Sequence, residues 1–416
     1  MDSVLRLAKR FIPKPIFKAL QPAYHLFLAY SAAVVYMFPS RKLRIIGVTG
    51  TNGKSTVVHL ITSILEEAGE KTASISSLRF RVNGEERQNT LKMTMPGRFK
   101  MQKFLREAAR SGCKYAVLEV TSEGIKQFRH IGIDFYIAIL TNVTHEHIES
   151  HGSFDKYRAA KAELFKKTKI HILNGEDLSI EYFLKIPAES RVVYSKKDLP
   201  VDFKLKLPGN FNIENAVAAY HVGKVLGIDR DAIKRALEKV EFVPGRVEFV
   251  QKDPFPVVVD YAHTPDALRK VYETLRSPVK NGGRLICVLG SAGGGRDKWK
   301  RPEMGRIAAE FCDEIILTNE DPYDENPESI LNEIKAGFSE PPQNPLLAKE
   351  WSGEVVFKKI LDRREAVRSA LKSAKTGDVV IITGKGAEPW IMGLNGTKTP
   401  WDDREVVREE LKNLEK

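Results

Sequence analysis

Short runs of β-branched and aliphatic residues recur along the chain, and most of them end in a polar cluster. Ile45, Ile46 and Val48 lead into Gly50-Thr51-Asn52-Gly53-Lys54-Ser55-Thr56. Tyr115–Val120 (YAVLEV) ends near Glu119 and Thr121-Ser122, and Phe135–Leu140 (FYIAIL) ends at Thr141-Asn142. Further on, Val257–Val259 ends at Asp260 and Leu285–Leu289 (LICVL) in a Gly/Ser/Ala run over 290–295. Ile315–Leu317 ends at Thr318-Asn319-Glu320-Asp321, and Val379–Ile382 at Thr383-Gly384-Lys385-Gly386. Helical spacing separates most of these runs. Val57, Val58, Leu60, Ile61, Ile64, Leu65 and Ala68 follow a 3.6-residue period, with Gly69 at the position of a C-terminal cap. Buried strands alternating with helices predict an α/β fold with parallel sheets, whose ligands sit at the carboxyl ends of the strands.

A boundary is predicted near Phe242–Val247 (FVPGRV), which follows the helical pattern Asp231–Val240 and carries Pro-Gly. The chain then divides into a basic, apolar segment over 1–44, a P-loop ATP-binding domain with a parallel sheet over 45–243, and a smaller Rossmann-like domain over 244–416.

The run RIIGVTGTNGKST (Arg44–Thr56) has the order strand, glycine loop, Lys-Ser, helix. Glycines let backbone amides approach phosphate oxygens, and the helix N-terminus adds its positive end. Lys54 is placed to reach the β/γ-phosphates and Ser55 to hold Mg²⁺. The strict pattern G-x-x-x-x-G-K-[ST] would start at Val48, whereas the glycine stands one residue earlier, at Gly47. A glycine-rich turn that binds nothing is the plainer reading, and the strand and helix on either side argue against it.

The composition is that of a globular protein: 416 residues, 42% hydrophobic and 29% charged. The net charge of +12 is concentrated at the amino terminus. Arg6, Lys9, Arg10, Lys14, Lys18, Arg41, Lys42 and Arg44 face Asp2 alone within residues 1–44. The remainder is mixed, with no basic run interleaved with aromatics, so nucleic acid is not an expected partner. Tyr24–Phe38 (YHLFLAYSAAVVYMF) is shorter than the roughly 20 residues that span a bilayer. Three readings remain open for it: a helix packed on the body or a partner, an interfacial membrane helix, or a span. Cys113, Cys287 and Cys312 show no metal spacing, and an odd count suggests a reducing cytoplasm. The chain is therefore expected in the cytoplasm, with the inner membrane face as an option for residues 1–44.

Glu119, at the end of an apolar run, is placed to orient Mg²⁺ together with the loop serine. On the helix that Ser153 is predicted to cap, Phe154, Tyr157, Lys161, Leu164 and Phe165 share one face. Lys161 thus sits on an apolar side, where it either extends its stem toward water or is buried. A buried lysine has a lowered pKa, and its neutral amine can add CO₂ to give a metal-binding carbamate.

These motifs resemble the Mur ligases. The family signature G-[IV]-T-G-T-N-G-K-[ST]-[ST] matches Gly47–Thr56, and T-N-x-x-x-[DE]-H followed by Y-x-A-A-K matches Asn142, Glu146, His147, Tyr157, Ala159, Ala160 and Lys161. The interval from His147 to Lys161 is that of the MurE-type branch, which adds the third residue of the peptidoglycan stem. EVTSEG (119–124, Glu123 replacing histidine), LPGNFNIENAVAA (207–219), PGRVE (244–248), DYAHTPDAL (260–268), RDKWKRPEMG (296–305) and GKGAE (384–388) follow in family order. The resemblance implies an ATP- and Mg²⁺-dependent ligase that forms an amide bond between an amino acid and a carboxylate-ended precursor, through an acyl phosphate. It implies Lys54, His147 and carbamylated Lys161 as catalytic residues, and Ser55, Glu119, His147 and Lys161 as metal ligands, without His145 or His151. It implies ATP contacts from Gly50, Thr51, Asn52, Gly53, Lys54, Ser55, Thr56, Asn142, Asn212, Asn215, Arg246 and Asp260. It implies amino-acid contacts from Arg296, Lys298, Asp321 and Glu388.

Two departures change the expectation. Family members that add diaminopimelate read D-N-P-R where this chain has Glu320-Asp321-Pro322-Tyr323, so the arginine is absent and diaminopimelate is not implied. Only 46 residues precede Gly47, where the family carries a UDP-sugar-binding domain of roughly a hundred residues, an ordinary domain size. A ligase for a lipid-linked precursor, a folylpolyglutamate-type ligase and a non-catalytic nucleotide-binding partner are the alternatives.

Overall fold

The computed structural model describes residues 14–91, 93–279, 282–339 and 356–414. The chain forms two compact units. The first comprises Met1–Val143, Tyr157–Leu199 and Asn215–Ala236; the second comprises Thr144–Lys156, Pro200–Glu214 and Leu237–Lys416.

The first unit is built on an eight-stranded sheet: β1 (Arg44–Thr49), β2 (Thr72–Ile75), β3 (Arg79–Val82), β4 (Glu85–Gln88), β5 (Tyr115–Glu119), β6 (Phe135–Leu140), β7 (Ile170–Asn174) and β8 (Ser190–Tyr194). The spatial order is β4-β3-β2-β5-β1-β6-β7-β8. From β2 to β8 neighbours are parallel, and β2, β3 and β4 pair antiparallel. Every residue of β1 after Arg44 is buried, as a continuous apolar run requires in a sheet covered on both faces. Register then brings the polar strand ends together. Val48 pairs with Glu119 across β5, and Thr49 with Leu140 across β6. The residues after β1 and β6 therefore emerge side by side, beside the last residue of β5.

Helix Lys14–Val35 packs on this unit through Ala29, Ala32 and Ala33. The fit is close: a Cβ on Gly132 would stand 2.7 Å from the Cβ of Ala33. Past the helix end, Arg106 Nη1 donates to the Tyr36 carbonyl at 3.0 Å. Among the described residues no helix is long and apolar enough to cross a membrane. Residues 1–13 and their basic side chains lie outside the described residues.

The second unit holds a six-stranded sheet: β9 (Glu248–Gln251), β10 (Val257–Asp260), β11 (Leu285–Leu289), β12 (Glu314–Leu317), β13 (Phe357–Lys359) and β14 (Val379–Thr383). Its order is β13-β12-β11-β14-β10-β9, parallel except for β9. Alternate residues of β10, β11 and β14 feed two apolar clusters: Val258, Cys287 and Ile381 join one, and Val259, Val288 and Ile382 the other. A small ribbon, β15 (Trp390–Met392) with β16 (Lys398–Pro400), follows. A buried pair anchors the carboxyl end of β14: Arg363 bonds both oxygens of Asp403, at 2.9 and 2.8 Å, and the Thr383 carbonyl at 2.7 Å.

The odd cysteine count says nothing of pairing: Cys287 on β11 is bonded to Cys312, which precedes β12, and the buried Cys113 is free. A pair plus one leftover gives the same odd count. The two cysteines lie on adjacent segments, since the Asp313 amide donates to the Leu285 carbonyl at 2.9 Å. Alkylation of the unfolded, unreduced protein is expected to label one cysteine, and three after reduction, as read by mass spectrometry. Because the bridge closes a loop with a sequence separation of 25, reduction should lower the stability of the second unit by about 3 kcal/mol in chemical denaturation.

Candidate active site

The glycine loop follows β1 and is held from beneath. Thr51 N donates to the Asn142 carbonyl at 2.8 Å, and Asn52 N to Asn142 Oδ1 at 2.8 Å. The Asn52 carbonyl receives Thr141 Oγ1 at 2.6 Å and Asn142 Nδ2 at 3.2 Å. Glycine is required at two loop positions. A Cβ on Gly50 would meet Thr141 Oγ1 at 1.9 Å, and one on Gly53 would meet Asn215 Oδ1 at 2.4 Å. Both have positive φ, 153° and 83°. Gly53 caps the helix Lys54–Glu67, whose first turn carries no acid, so its positive end is left for an anion.

At this helix end Ser55 Oγ donates to Glu119 Oε2 at 2.7 Å, and the same carboxylate accepts the Ser77 amide at 2.9 Å. Lys54 Nζ stands 3.9 Å from Glu119 Oε1 and donates to the Thr51 carbonyl at 2.7 Å. Lys161 is fully buried. Its Nζ donates to the Gly50 carbonyl at 2.7 Å and lies 4.3 Å from the centroid of the Tyr157 ring. The Tyr157 hydroxyl in turn bonds Thr51 Oγ1 at 3.0 Å. Burial, then the Lys54 cation, push the Lys161 amine well below the ordinary lysine range, against a weaker pull from Asp177 and Glu119. Among the described residues no cluster of three or more His, Cys, Asp or Glu side chains is arranged to hold a metal. Magnesium does not need one. It keeps several waters, leans on phosphate oxygens and takes one or two protein oxygens, and Ser55 with Glu119 supplies such a donor set.

His147 lies in the second unit, in a left-handed conformation (φ 58°) ahead of a short helix. The Ile148 and Glu149 amides donate to the two oxygens of Asp297, each at 3.0 Å. Glu146 accepts Lys300 Nζ at 2.8 Å; burial raises its carboxyl above the usual range while Lys300 opposes this. Asp297 and Lys300 therefore position the His147 segment. Arg301 acts on the neighbouring loop instead, donating to the Ala292 carbonyl at 3.1 Å and pairing with Glu325 and Glu333.

The remaining residues divide in the same way. Asn215 stands against Gly53 in the first unit, whereas Asn212 donates to the Pro208 carbonyl at 2.7 Å in the second. Asp260 is buried and accepts the Val247 amide at 2.7 Å on Oδ2, which ties the Pro-Gly-Arg-Val turn to β10, and the Ala262 amide at 2.5 Å on Oδ1, which fixes the chain just past the strand. The Arg246 guanidinium stacks 4.2 Å over the Tyr261 ring. Buried Lys385 bonds Asp321 Oδ1 at 2.8 Å and Glu388 Oε2 at 2.6 Å. Tyr261 OH donates to Glu388 Oε1 at 3.3 Å. Arg296 is hydrogen-bonded to Tyr323, and exposed Lys298 pairs with Glu325 at 3.3 Å. Sequence reasoning missed four contributors. Tyr157, Lys385 and Glu320 had a signal, each inside a quoted motif. Ser77 had none. Glu320 is buried, its Oε2 has no hydrogen-bond partner among the described residues, and burial followed by Asp321 raises its carboxyl above the usual range.

The model of the Mur ligase middle domain matches residues 48–198, and that of the Mur ligase glutamate ligase domain residues 245–386. The UDP-N-acetylmuramoyl-L-alanyl-D-glutamate–2,6-diaminopimelate ligase of Aquifex aeolicus is 38% identical over 408 residues, spanning 92% of this chain and 80% of that protein. The chain belongs to the Mur ligase family. It is accordingly an ATP-dependent acid–amino-acid ligase of peptidoglycan synthesis. The UDP-N-acetylmuramyl-tripeptide synthetase of Roseiflexus sp. is 35% identical across 97% of this Mur ligase and 85% of its own length. A solved UDP-N-acetylmuramoyl-L-alanyl-D-glutamate–2,6-diaminopimelate ligase superposes with a TM-score of 0.58 at 31% identity, over 90% of this chain and 79% of that one. A bifunctional folylpolyglutamate/dihydrofolate synthase from Yersinia pestis gives 0.69 at 20% identity, over 94% and 93%, and so shares the fold.

Gly50→Ala is expected to preserve the fold of this Mur ligase while displacing the loop from Thr141. ATP affinity should fall at least about tenfold by titration calorimetry, roughly 1.4 kcal/mol.

Proposed function

We propose that this Mur ligase joins an amino acid to the carboxylate end of a UDP-MurNAc peptide, as the names of its MurE-type relatives describe for those proteins. Residues 45–243 form the ATP-binding domain of this reading and 244–416 the domain for the amino acid. The observation that carries it is the grouping of Lys54, Ser55, Glu119 and buried Lys161 around one glycine loop.

In this reading the acceptor carboxylate oxygen attacks the γ-phosphorus and ADP departs. The amine nitrogen then attacks the acyl carbon, phosphate leaves and the amine gives up a proton. The loop from Gly50 to Thr56, with Asn142 and Asn215, grips the triphosphate. Asn212, Arg246 and Asp260 complete the nucleotide contacts, Asp260 through the turn it fixes. Lys54 offsets charge on the transferring phosphoryl group. Ser55 and Glu119 hold one magnesium ion, and His147 with carbamylated Lys161 a second; when bound, the ions neutralise phosphate charge. Lys161 suits carbamylation because burial and the Lys54 cation lower its pKa and so favour the uncharged amine, and a carbamate keeps one N–H for the Gly50 carbonyl. Arg296, Lys298, Asp321 and Glu388 receive the amino acid, the two acids facing its ammonium. Tyr323 stands in place of the arginine that marks diaminopimelate addition. A peripheral membrane contact through residues 1–44 belongs to the same reading.

Lys161→Ala should abolish turnover, and a short exogenous carboxylate should partly restore it; unchanged activity in the variant would sink the carbamate assignment. Phosphate release over a panel of amino acids, with UDP-linked and lipid-linked acceptors compared, is expected to select one amino acid and to favour the UDP-linked acceptor.

A further inference from the structure

Helix Lys14–Val35 has two unlike faces. The inner one is narrow and small, formed by Ala29, Ala32 and Ala33 against Gly132. The outer one is large, apolar and uncovered by any described residue of this chain. Leu20, Tyr24, Phe27 and Val34 fall at i, i+4, i+7 and i+14, one stripe of the helix, with exposures of 58%, 40%, 68% and 60%; Tyr30 and Val35 border it. Scattered apolar side chains on a surface need no explanation, but a continuous stripe marks an interaction site.

Charge selects the occupant. No aspartate or glutamate occurs anywhere from residue 3 to residue 65 of the sequence, while exposed Arg41, Lys42 and Arg44 follow the helix end. The adjacent helix Arg98–Arg110 adds exposed Phe99, Lys100 and Lys103. Glu107 on that helix is paired with Arg87, and Asp134 near the helix end is paired with Arg41. A second copy in a two-fold contact would set this predominantly basic surface against itself. An anionic bilayer complements both the apolar stripe and its basic flanks.

We infer that helix Lys14–Val35 lies in the plane of an anionic membrane, with its outer face at the boundary of headgroups and acyl chains and its flanking bases on lipid phosphates. The ring and hydroxyl of Tyr24 and Tyr30 suit that depth, one part apolar and the other wet. The helix is not of the length and hydropathy that crosses a bilayer. This inference deepens the membrane contact in the proposed function and does not depend on the ligase chemistry, because binding is read without turnover.

The test is sedimentation of the full chain with phosphatidylcholine vesicles, with and without phosphatidylglycerol, at low and high salt. Binding to the anionic vesicles that weakens with salt is expected. Phe27→Ser/Val34→Ser should reduce the partition coefficient at least about tenfold, and Arg41→Glu/Lys42→Glu should abolish the preference for anionic lipid. Nucleotide binding and circular dichroism should match the parent in both variants; should one of them misfold, the other decides. Equal pelleting with neutral and anionic vesicles, or none, overturns the inference. So does a dimer in sedimentation velocity that Phe27→Ser/Val34→Ser dissociates, which would assign the stripe to a second copy.

Discussion

Everything in the first unit's site depends on how the carbonyls of the glycine loop are pinned. Lys161 takes the Gly50 carbonyl, Lys54 the Thr51 carbonyl, and Thr141 with Asn142 the Asn52 carbonyl. A loop whose carbonyls are drawn inward by side chains presents its opposite side to an anion at no further conformational cost. These donors come from three different places, the helix carrying Lys161, the start of helix Lys54–Glu67 and the end of β6, and they meet where β1 and β6 end in step. Register of the parallel sheet is thus the remote cause of the phosphate grip. Gly50 and Gly53 are its local condition, since a side chain at the first would displace Thr141 and one at the second Asn215.

That dependence explains what the sequence made visible and what it did not. Strand ends with polar clusters are a property of one short segment at a time, so Glu119, Thr141 and Asn142 stand where periodicity puts them. The buried face of the helix carrying Lys161 follows from spacing alone: Tyr157, Lys161, Leu164 and Phe165 are all buried, and the Lys156 amide bonds Ser153 Oγ at 3.2 Å, as a cap should. The hairpin β3–β4 was harder. Its turn, Asn83-Gly84 with φ 48° and 87°, is a two-residue hairpin signature, but RFRV and EERQ are too polar to read as strands. The docking of Ile148 and Glu149 on Asp297 joins positions nearly 150 residues apart, and no local pattern encodes such a pairing. The Cys287–Cys312 bridge was hidden for the same reason.

The amino-terminal helix shows the opposite failure of local reading. Its apolar residues are plain in the sequence, but hydropathy does not say which of them are turned inward. The structure buries Ala29, Ala32 and Ala33 and exposes Leu20, Tyr24, Phe27 and Val34. That is the reverse of a helix whose apolar face serves its own core, because small residues permit close approach to Gly132 and leave the bulky ones for another medium. The pattern marks a helix that is held by the protein for a surface outside it.

Two buried lysines in this chain show how environment, and not residue type, sets chemistry. Lys385 sits between Asp321 and Glu388, with Glu320 nearby; burial alone would lower its pKa, but the three acids outweigh it and hold the ammonium above the ordinary range. Lys161 has no carboxylate within hydrogen-bonding distance among the interactions described for it, faces the Lys54 cation, and is pushed the other way. The first is a cation that keeps Asp321 and Glu388 in place. The second is an amine whose charged form is disfavoured by burial and by the Lys54 cation, and the uncharged amine is the form that can take up CO₂. Exchanging the two environments would exchange the two roles, and this is why the acid-poor burial of Lys161 is the feature that makes the magnesium reading chemically coherent.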